Sequence, residues 1–361
     1  PMSEPRSVSA IIKAPWILTQ DSAHRVLENH CIVIDRNRIL ALLPQAQTEY
    51  TAADIIDLPD HVLMPGLINA HCHASMSLFR GLADDLPLMT WLNEHIWPAE
   101  GRWVNEEFTH DGALLAMAEM IRSGTTCFSD MYFFPNVVAR AVNDVQLRAQ
   151  LAFPILDFPS AWAQNADDYL RKGLQLHDAF RNHELIHVGF GPHAPYTVSD
   201  APLQKVAAYS NETNMPIQMH VHETAFEVED ATLKSGKRPL QRLHELGLLS
   251  PHLQAVHMTQ LNDYEIALLA QTGTHVVHCP ESNLKLASGF CPVAKLLEAG
   301  VNVALGTDGA ASNNDLDMFG EMRTAALLAK GVAQNPSAVP ARQALAMATI
   351  NGARALGIDH I

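Results

Sequence analysis

The strongest constraint on the fold is a regular alternation of short apolar runs with longer segments that have helical spacing. Eight such runs follow residue 60: HVLMPGLINA, TTCFSDMY, RAQLAFPIL, LIHVGFGP, MPIQMHV, LQAVHM, THVVHC and VNVALGTD. Alternating strands and helices predict a parallel sheet, and eight strands is the number that closes a barrel. We therefore expect an α/β fold with a (β/α)8 TIM-type barrel at residues 61–361.

The segments between and before these runs support the same organisation. DGALLAMAEMIRSG, DAPLQKVAAYSNETN and PVAKLLEAG have helical spacing, with Asp200 expected as a capping residue and Gly300 as a helix end. Residues 1–60 contain AIIKAPWILTQ, HCIVIDRNRILALLP and DIIDLP, with a hairpin turn expected over Asp35–Arg38. They predict a small β domain ahead of the barrel.

Composition excludes several classes of protein. A hydrophobic content of 48% with 17% charged residues is typical of a globular chain and not of a disordered one. The net charge of −15 would repel a nucleic-acid backbone, so we expect no nucleic-acid partner. No apolar run approaches the roughly 18 residues of a membrane span, so we expect no membrane partner.

The cysteines indicate the compartment. They are scattered, odd in number and contain no Cys-x-x-Cys, which disfavours a disulfide framework and a structural zinc knuckle. They are Cys31, Cys72, Cys127, Cys279 and Cys291. We expect a cytoplasmic protein with reduced thiols.

Polar side chains follow or end most of the predicted barrel strands. In such barrels the active site lies where the strands end, so these positions favour function over packing. The strand-terminal residues are His71, His73, His193, His220, His222, Glu223, His257, His278 and Asp308. The chain contains 19 histidines, and few of the others occupy comparable positions.

Two of these histidines lie two residues apart on one strand. His71 and His73 therefore project to the same side and can reach one metal ion. Asp308 would add an oxygen ligand, and either His220 or His222 a third nitrogen, because strand alternation places both on one face. Beside a metal, Glu223 is suited to proton transfer.

Four motifs in order give the chain a recognisable resemblance. MPGLINAHCH, HVHET, VHCPESNLKLASG and GTDGAASNN resemble the amidohydrolase superfamily, and more narrowly the 5′-methylthioadenosine/S-adenosylhomocysteine deaminases. The resemblance covers nearly the whole chain. It implies a (β/α)8 barrel and a small β-sandwich domain that the N-terminus, and normally also the C-terminus, builds.

The resemblance assigns roles residue by residue, and it selects His220 rather than His222 through the H-x-x-E-T motif. The implied metal ligands are His71, His73, His220 and Asp308. The implied catalytic residues are Glu223, His257 and Asp308. The expected substrate contacts are Glu100, His193, Glu223, Asp308 and His278, of which His278 helps to close the site.

The resemblance implies that these residues carry out a hydrolytic deamination with one metal ion per subunit. The fourth strand has no lysine that could be carbamylated to bridge a second ion. Three imidazoles and a carboxylate suit Zn²⁺, and Fe²⁺ or Mn²⁺ tolerates similar ligands. Water activated by the metal would replace the amino group of adenine, while Glu223 protonates the ring nitrogen. The partner expected is a purine nucleoside whose ribose Glu100 binds.

The chain departs from the family in two respects. Family members that accept S-adenosylhomocysteine are expected to carry arginines after the third strand, but none occurs here between Arg148 and Arg171. Phe153, Phe158 and Trp162 occupy that segment, where they either offer an apolar surface to a methylthio group or simply pack the loop. Because the positive charge is missing in either case, we expect 5′-methylthioadenosine or adenosine as substrate. Family members also continue past ARALG with strands of the small β domain, so we expect the sequence to be truncated after Ile361.

Two other functions fit parts of the pattern. A triazine or guanine hydrolase would use much the same barrel and ligands, although Glu100 argues against a ring without ribose. A purine-nucleoside binding protein without turnover would not need Glu223, His257 and Asp308 together. A homodimer or tetramer is reasonable for a barrel with exposed helices.

Overall fold

The computed structural model describes residues 4–361, which form two compact units. The smaller unit contains the described residues up to Gly66 together with Gly357–Ile361, and the larger one is Leu67–Leu356. Compactness does not test independent folding, so the domain boundary expected at residue 60 stays a prediction.

The smaller unit is built on one sheet. Its strands are β1 (Arg6–Leu18), β2 (Val26–Asp35), β3 (Arg38–Pro44), β4 (Tyr50–Asp57) and β5 (Val62–Leu63). β1 pairs antiparallel with β2 and parallel with β4 and β5, while β3 extends the sheet beyond β2. Asp35 pairs with Arg38, which confirms the predicted hairpin, and Arg36 in its turn has a φ of 55°. Such a left-handed residue is typical of two-residue hairpin turns.

The larger unit contains eight parallel strands that pair in chain order. They are β6 (Leu67–Cys72), β7 (Thr125–Asp130), β8 (Arg148–Ile155), β9 (Ile186–Pro192), β10 (Ile217–Val221), β11 (Leu253–His257), β12 (His275–His278) and β13 (Val303–Leu305). The backbone N–H of Asp308, just after β13, donates to the carbonyl of His71 on β6, at 2.9 Å. The ring is thereby nearly closed, and the predicted (β/α)8 barrel is confirmed.

One predicted strand proves to be two. The run HVLMPGLINA is interrupted after Leu63, so that β5 belongs to the small sheet and β6 to the barrel. Pro65 lies in the interruption, where its missing N–H cannot contribute to a sheet. A continuous apolar run therefore carries the chain from one unit into the other.

Helices follow the barrel strands in the larger unit. They are α1 (Leu88–Thr90), α2 (Trp97–Trp103), α3 (Glu106–Arg122), α4 (Pro135–Val145), α5 (Ala166–Phe180), α6 (Asp200–Thr213), α7 (Ala225–Ser235), α8 (Pro239–Glu245), α9 (Asp263–Thr272), α10 (Pro280–Lys285), α11 (Val293–Glu298), α12 (Ala310–Asn313), α13 (Met318–Ala333), α14 (Ala341–Met347) and α15 (Ile350–Leu356). A short 3₁₀ helix at Ala74–Phe79 and a π-helix at Trp91–Ile96 complete the set.

The predicted helix ends are partly correct. α11 ends just before Gly300, which has a φ of 84° that favours glycine. Asp200, however, is the first residue of α6 and not its cap, which is Ser199. The Asp200 carboxylate instead accepts a hydrogen bond from Nε of Arg242 on α8, at 2.7 Å. The interpretation of Asp200 as a capping residue is therefore wrong.

Two further features bear on the expectations from composition. Among the helices of residues 4–361, none has the length and apolar character required to cross a bilayer. All five cysteines are buried free thiols.

Candidate active site

Three histidine side chains from β6, the residue after it and β10 converge at the carboxyl end of the barrel. The Nε2 atoms of His71 and His220 lie 3.3 Å apart. One ligand nitrogen from each of His71, His73 and His220 lies within 4.8 Å of the others. Unprotonated imidazole nitrogens repel one another at such distances, so the arrangement favours a cation between them.

The opposite nitrogen of each imidazole has an oxygen acceptor. The three pairs are His71 Nδ1 with Gln218 Oε1 at 2.8 Å, His73 Nδ1 with the Met131 carbonyl at 2.5 Å, and His220 Nδ1 with the His193 carbonyl at 2.6 Å. A carbonyl oxygen only accepts, so Nδ1 carries a hydrogen, and in the neutral form of each ring Nε2 keeps a free lone pair. This is the tautomer in which a histidine binds a metal through Nε2.

Asp308 supplies a carboxylate to the same position. Its Oδ1 lies 3.3 Å from Nε2 of both His71 and His73, and its Oδ2 accepts a hydrogen bond from Ser282 Oγ at 2.8 Å. Burial alone would raise the pKa of Asp308, but the neighbouring His71 and His73, which can donate to its carboxylate when they are protonated, hold that pKa well below the usual range. Asp308 is therefore ionised at neutral pH and is suited to act as an oxygen ligand.

The choice between His220 and His222 follows from the backbone. His222 lies beyond the end of β10 with a φ of 52°, so the strand alternation stops before it. Its Nδ1 donates to the Gln260 carbonyl at 2.7 Å, and its Nε2 accepts the N–H of Leu240 at 2.9 Å. Both nitrogens of His222 are engaged away from the converging imidazoles.

Two side chains that are suited to proton transfer lie beside the three imidazoles. Nε2 of His257 is 3.5 Å from Oε1 of Glu223 and 3.8 Å from Oδ2 of Asp308. Burial lowers the pKa of His257, whereas burial and the Asp308 charge raise the pKa of Glu223 to about 8. At neutral pH His257 is therefore a neutral base and Glu223 is mostly a protonated acid. Nδ1 of His257 pairs with Asn283 Oδ1 at 2.8 Å, which leaves Nε2 free.

A cavity of about 350 Å³ opens above these groups, a volume within the range of small-molecule sites. The residues of the group that line its floor are His73, His220, Glu223, His257 and Asp308. Glu100, from α2, lines its side wall and accepts a hydrogen bond from the Tyr132 hydroxyl at 2.5 Å. Burial raises the pKa of Glu100 to about 7. A partly buried carboxylate with one oxygen available can accept hydrogen bonds from the hydroxyls of a ligand.

The outer wall of the cavity is apolar and aromatic. Trp91, Ile96 and Trp97 line it from one side, and Phe158 lines it from the loop after β8. The rings of Trp97 and Phe158 meet edge to face with their centroids 5.8 Å apart. Among the residues that the structure describes, no lysine or arginine lines this cavity. The wall therefore suits an apolar substituent and offers no partner for a carboxylate.

Only one of the three aromatic residues expected at this wall lies there. Phe153 faces outwards from β8 against Gly173 of α5, where an added Cβ would lie 2.2 Å from the Phe153 ring. Trp162 packs on the ring of Tyr169, with centroids 5.9 Å apart. The prediction that Phe153 and Trp162 present apolar surface to the substrate is therefore wrong, and Phe158 alone remains.

Comparison with known proteins agrees with this geometry. The model of the amidohydrolase family matches residues 62–361. This chain belongs to the amidohydrolase family. The resemblance predicted from the four motifs is thereby confirmed.

Individual amidohydrolases are similar over nearly the whole chain. The 5-methylthioadenosine/S-adenosylhomocysteine deaminase of Saccharophagus degradans is 56% identical over 362 residues, covering 100% of this chain and 81% of that protein. The 5′-deoxyadenosine deaminase of Methanothermobacter thermautotrophicus is 46% identical over 353 residues, covering 97% and 81%. The structure of an adenosine deaminase from Xanthomonas campestris with bound zinc superposes with a TM-score of 0.96 at 50% identity, covering 98% and 81%.

The two remaining predicted residues occupy different positions in this amidohydrolase. His193 lines the cavity next to His220, and its Nδ1 pairs with Thr197 Oγ1 at 2.9 Å. Burial lowers the pKa of His193 to about 3, so its ring is neutral. His278 is buried and does not line the cavity. Its role as a substrate contact stays a prediction, with no support from its position.

Sequence reasoning missed several residues that hold the amidohydrolase site together. Tyr132 lies just after β7, Asn283 on α10 after β12, and Gln218 two residues before His220 on the same strand face. Position at a strand end could have identified Tyr132, and the period of two could have identified Gln218. Nothing local distinguishes Asn283, because its partner His257 lies 26 residues away.

Proposed function

We propose that this amidohydrolase is a metal-dependent hydrolytic deaminase that converts 5′-methylthioadenosine or adenosine to the corresponding inosine derivative and ammonia. The observation that carries the proposal is a single cavity floor on which Glu223, His257 and Asp308 meet three converging imidazoles. The deaminase names of the relatives at 46–56% identity agree with it.

The proposed metal ligands fit one ion per subunit. They are His71, His73, His220 and Asp308. Three nitrogens and one carboxylate oxygen suit Zn²⁺, while Fe²⁺ or Mn²⁺ would accept the same donors. A bound Zn²⁺ would lower the pKa of a coordinated water towards about 7, which supplies a nucleophile at neutral pH.

The proton transfers fall to two side chains. His257, neutral through burial, accepts a proton from the attacking water through Nε2. Glu223 carries a proton at neutral pH and delivers it to the ring nitrogen beside the carbon that is attacked. A C–O bond forms and the C–N bond to the amino group breaks. The amino group takes up the proton that His257 accepted and leaves as ammonia, while the new hydroxyl group returns a proton to Glu223 and becomes the carbonyl of the product.

The cavity wall would hold the nucleoside. Glu100 is suited to accept hydrogen bonds from the ribose hydroxyls, with the Tyr132 hydroxyl fixing its other oxygen. His193, on the same wall, is placed to contact the purine or the ribose.

The apolar outer wall supports a preference among nucleosides. A methylthio group could pack on Trp97 and Phe158, whereas the amino-acid carboxylate of S-adenosylhomocysteine would lie in a cavity whose described lining contains no lysine or arginine. We therefore propose that S-adenosylhomocysteine is the poorest of the three substrates.

Assembly, location and domain division belong to the proposal as well. We propose a homodimer or tetramer in the cytoplasm, where the five buried free thiols would stay reduced. Residues 1–60 and 61–361 are proposed as the two domains, and free purine nucleosides, rather than nucleic acid or membranes, as the partners.

The function is tested by ammonia release from a panel of substrates with zinc-loaded protein. We expect kcat/KM to be highest for 5′-methylthioadenosine and adenosine, lower for S-adenosylhomocysteine, and lowest for guanine and aminotriazines. Faster turnover of guanine or a triazine would replace the proposal by the ring-hydrolase alternative. Tight adenosine binding without ammonia release would indicate a binding protein.

A further inference from the structure

Three glutamines form a buried layer inside the barrel beneath the imidazoles. They are Gln150 on β8, Gln218 on β10 and Gln254 on β11, and each is at most 3% exposed. The layer touches the site at one point, where Gln218 Oε1 pairs with His71 Nδ1 at 2.8 Å. Neither the proposed ligand set nor the proton transfers use these residues.

The direction of every hydrogen bond in the layer is determined by groups that can only accept. Gln218 Nε2 lies 2.8 Å from the Ala70 carbonyl and 2.8 Å from Gln254 Oε1. The Ala70 carbonyl cannot donate, so the nitrogen of the Gln218 amide must face it. Its oxygen must then face His71, and Nδ1 of His71 must carry the hydrogen.

Gln254 is fixed in the same way. Its Nε2 donates to the carbonyl of Ala355 on α15 at 2.8 Å and to Gln150 Oε1 at 3.0 Å. Its Oε1 accordingly accepts from Gln218 and also from Gln150, the latter at 2.8 Å. Gln150 uses its second hydrogen on Ser129 Oγ at 2.9 Å. All six amide hydrogens have an acceptor, so turning any one amide would break the pattern.

His71 differs in this respect from the other two imidazoles. The Nδ1 atoms of His73 and His220 donate to backbone carbonyls, which no substitution removes. His71 alone depends on a side chain for its tautomer. We propose that Gln218 is a positioning residue that holds His71 with its Nε2 lone pair towards the metal site, and that Gln254 keeps the Gln218 amide in the required orientation. This inference rests on the metal site of the proposed function and not on its substrate.

The experiment measures zinc affinity by competition with a chelator, using the full chain. Gln218→Met keeps the approximate volume but removes the acceptor, and we expect it to weaken zinc binding about 10- to 100-fold, as loss of an outer-shell partner does. Gln150→Met is the matched control, because Gln150 is about equally buried but is three hydrogen bonds away from His71. We expect it to change zinc affinity by no more than about twofold.

A conservative variant separates positioning from packing. In Gln218→Glu a neutral carboxyl group could accept from His71 Nδ1 through one oxygen and donate to the Ala70 carbonyl through the other. We expect this variant to recover most of the zinc affinity that Gln218→Met loses. The melting temperatures of the metal-free variants report how much each substitution destabilises the fold itself. This loss of stability should be similar for the two Met variants.

Two results would overturn the inference. One is wild-type zinc affinity in Gln218→Met, and the other is an equal loss in Gln150→Met. Should a Met variant fail to fold, ¹⁵N NMR of the zinc-loaded wild type decides, since His71 must carry its proton on Nδ1 and coordinate through Nε2. The opposite tautomer would contradict the proposal. None of these readouts requires deamination, so they remain decisive if the proposed reaction proves wrong.

Discussion

The floor and the outer wall of the cavity consist of different types of residue. On the floor, Glu223, His257 and Asp308 are buried polar groups at strand ends, and each has a defined polar neighbour. On the outer wall, Trp97 and Phe158 come from a helix and a loop and contact each other only through their rings. Phe158 is 39% exposed, whereas His257 is 1% exposed.

This difference suggests a division of roles, in which the floor residues carry out the reaction and the wall residues determine which substrate is preferred. His257 and Asp308 both have left-handed backbone, with φ of 81° and 61°. Such strain persists only where the surroundings determine the conformation, and it is typical of residues that must be aimed. Ring contacts on the wall are less directional and tolerate changes of size. We expect substitutions on the floor to alter kcat and those on the wall to alter the ranking of substrates.

The largest effect is expected for Glu223→Gln. The amide cannot transfer a proton to the ring, so kcat for 5′-methylthioadenosine should fall about 10³-fold while bound zinc stays near one ion per chain. Ammonia release and metal analysis measure the two quantities. Glu229→Gln on the exposed face of α7 is the control and should keep wild-type kcat. A Glu223→Gln enzyme with more than a tenth of that rate would remove Glu223 from the proposed chemistry.

The next effect is expected for Glu100→Gln. Loss of a charged acceptor for the ribose hydroxyls should lower kcat/KM for adenosine about 10- to 100-fold. Free adenine lacks the ribose, so its slow turnover should hardly change. The ratio of the two substrates therefore reports the contact directly, and an equal loss for both would place Glu100 elsewhere in the mechanism.

A plot of kcat/KM for 5′-methylthioadenosine against pH should have a maximum, and kcat/KM should fall about tenfold per pH unit on each side of it. The useful form of Glu100 is ionised and is lost as pH falls through its pKa of about 7. The useful form of Glu223 is protonated and is lost as pH rises through its pKa of about 8. We expect kcat/KM for 5′-methylthioadenosine to peak between these values. Glu100→Gln should shift the acidic limb and keep the alkaline one, because zinc-bound water that ionises towards about pH 7 still contributes an acidic limb. An acidic limb that stays at the wild-type position would refute the contribution of Glu100.

The smallest effect on activity is expected for a substitution on the outer wall of the cavity. Phe158→Arg introduces a cation where the structure offers none, and should raise kcat/KM for S-adenosylhomocysteine relative to 5′-methylthioadenosine. The site is partly exposed, so solvent screening limits the gain to about two- to fivefold. Phe290→Arg, at an exposed position away from the cavity, is the control. An unchanged ratio in Phe158→Arg would show that the 5′ substituent does not reach this wall.

The barrel and most residues of the cavity floor could be predicted from the sequence, because both depend on the local pattern of apolar and polar residues. Strand and helix alternate visibly, and a polar residue at a strand end stands out in an apolar run. His71, His73 and Asp308 occupy such positions, and the structure brings their ligand atoms together.

The rest depends on contacts between distant segments. His222 follows β10 and looks equivalent to His220 until Gln260 and Leu240, which are far along the chain, engage its ring. Phe153 and Phe158 are equally apolar, but only the structure shows that Phe153 faces α5. Residue type alone cannot indicate which side of a strand a helix will cover.

The most direct test of the account is the ultraviolet spectrum of 5′-methylthioadenosine incubated with zinc-loaded protein. We expect the adenine band to shift to that of hypoxanthine, with the shift stopped by removal of zinc with a chelator and restored when zinc is returned. An unchanged spectrum from folded, zinc-loaded protein that binds 5′-methylthioadenosine would contradict the assignment of the cavity floor to deamination of this nucleoside.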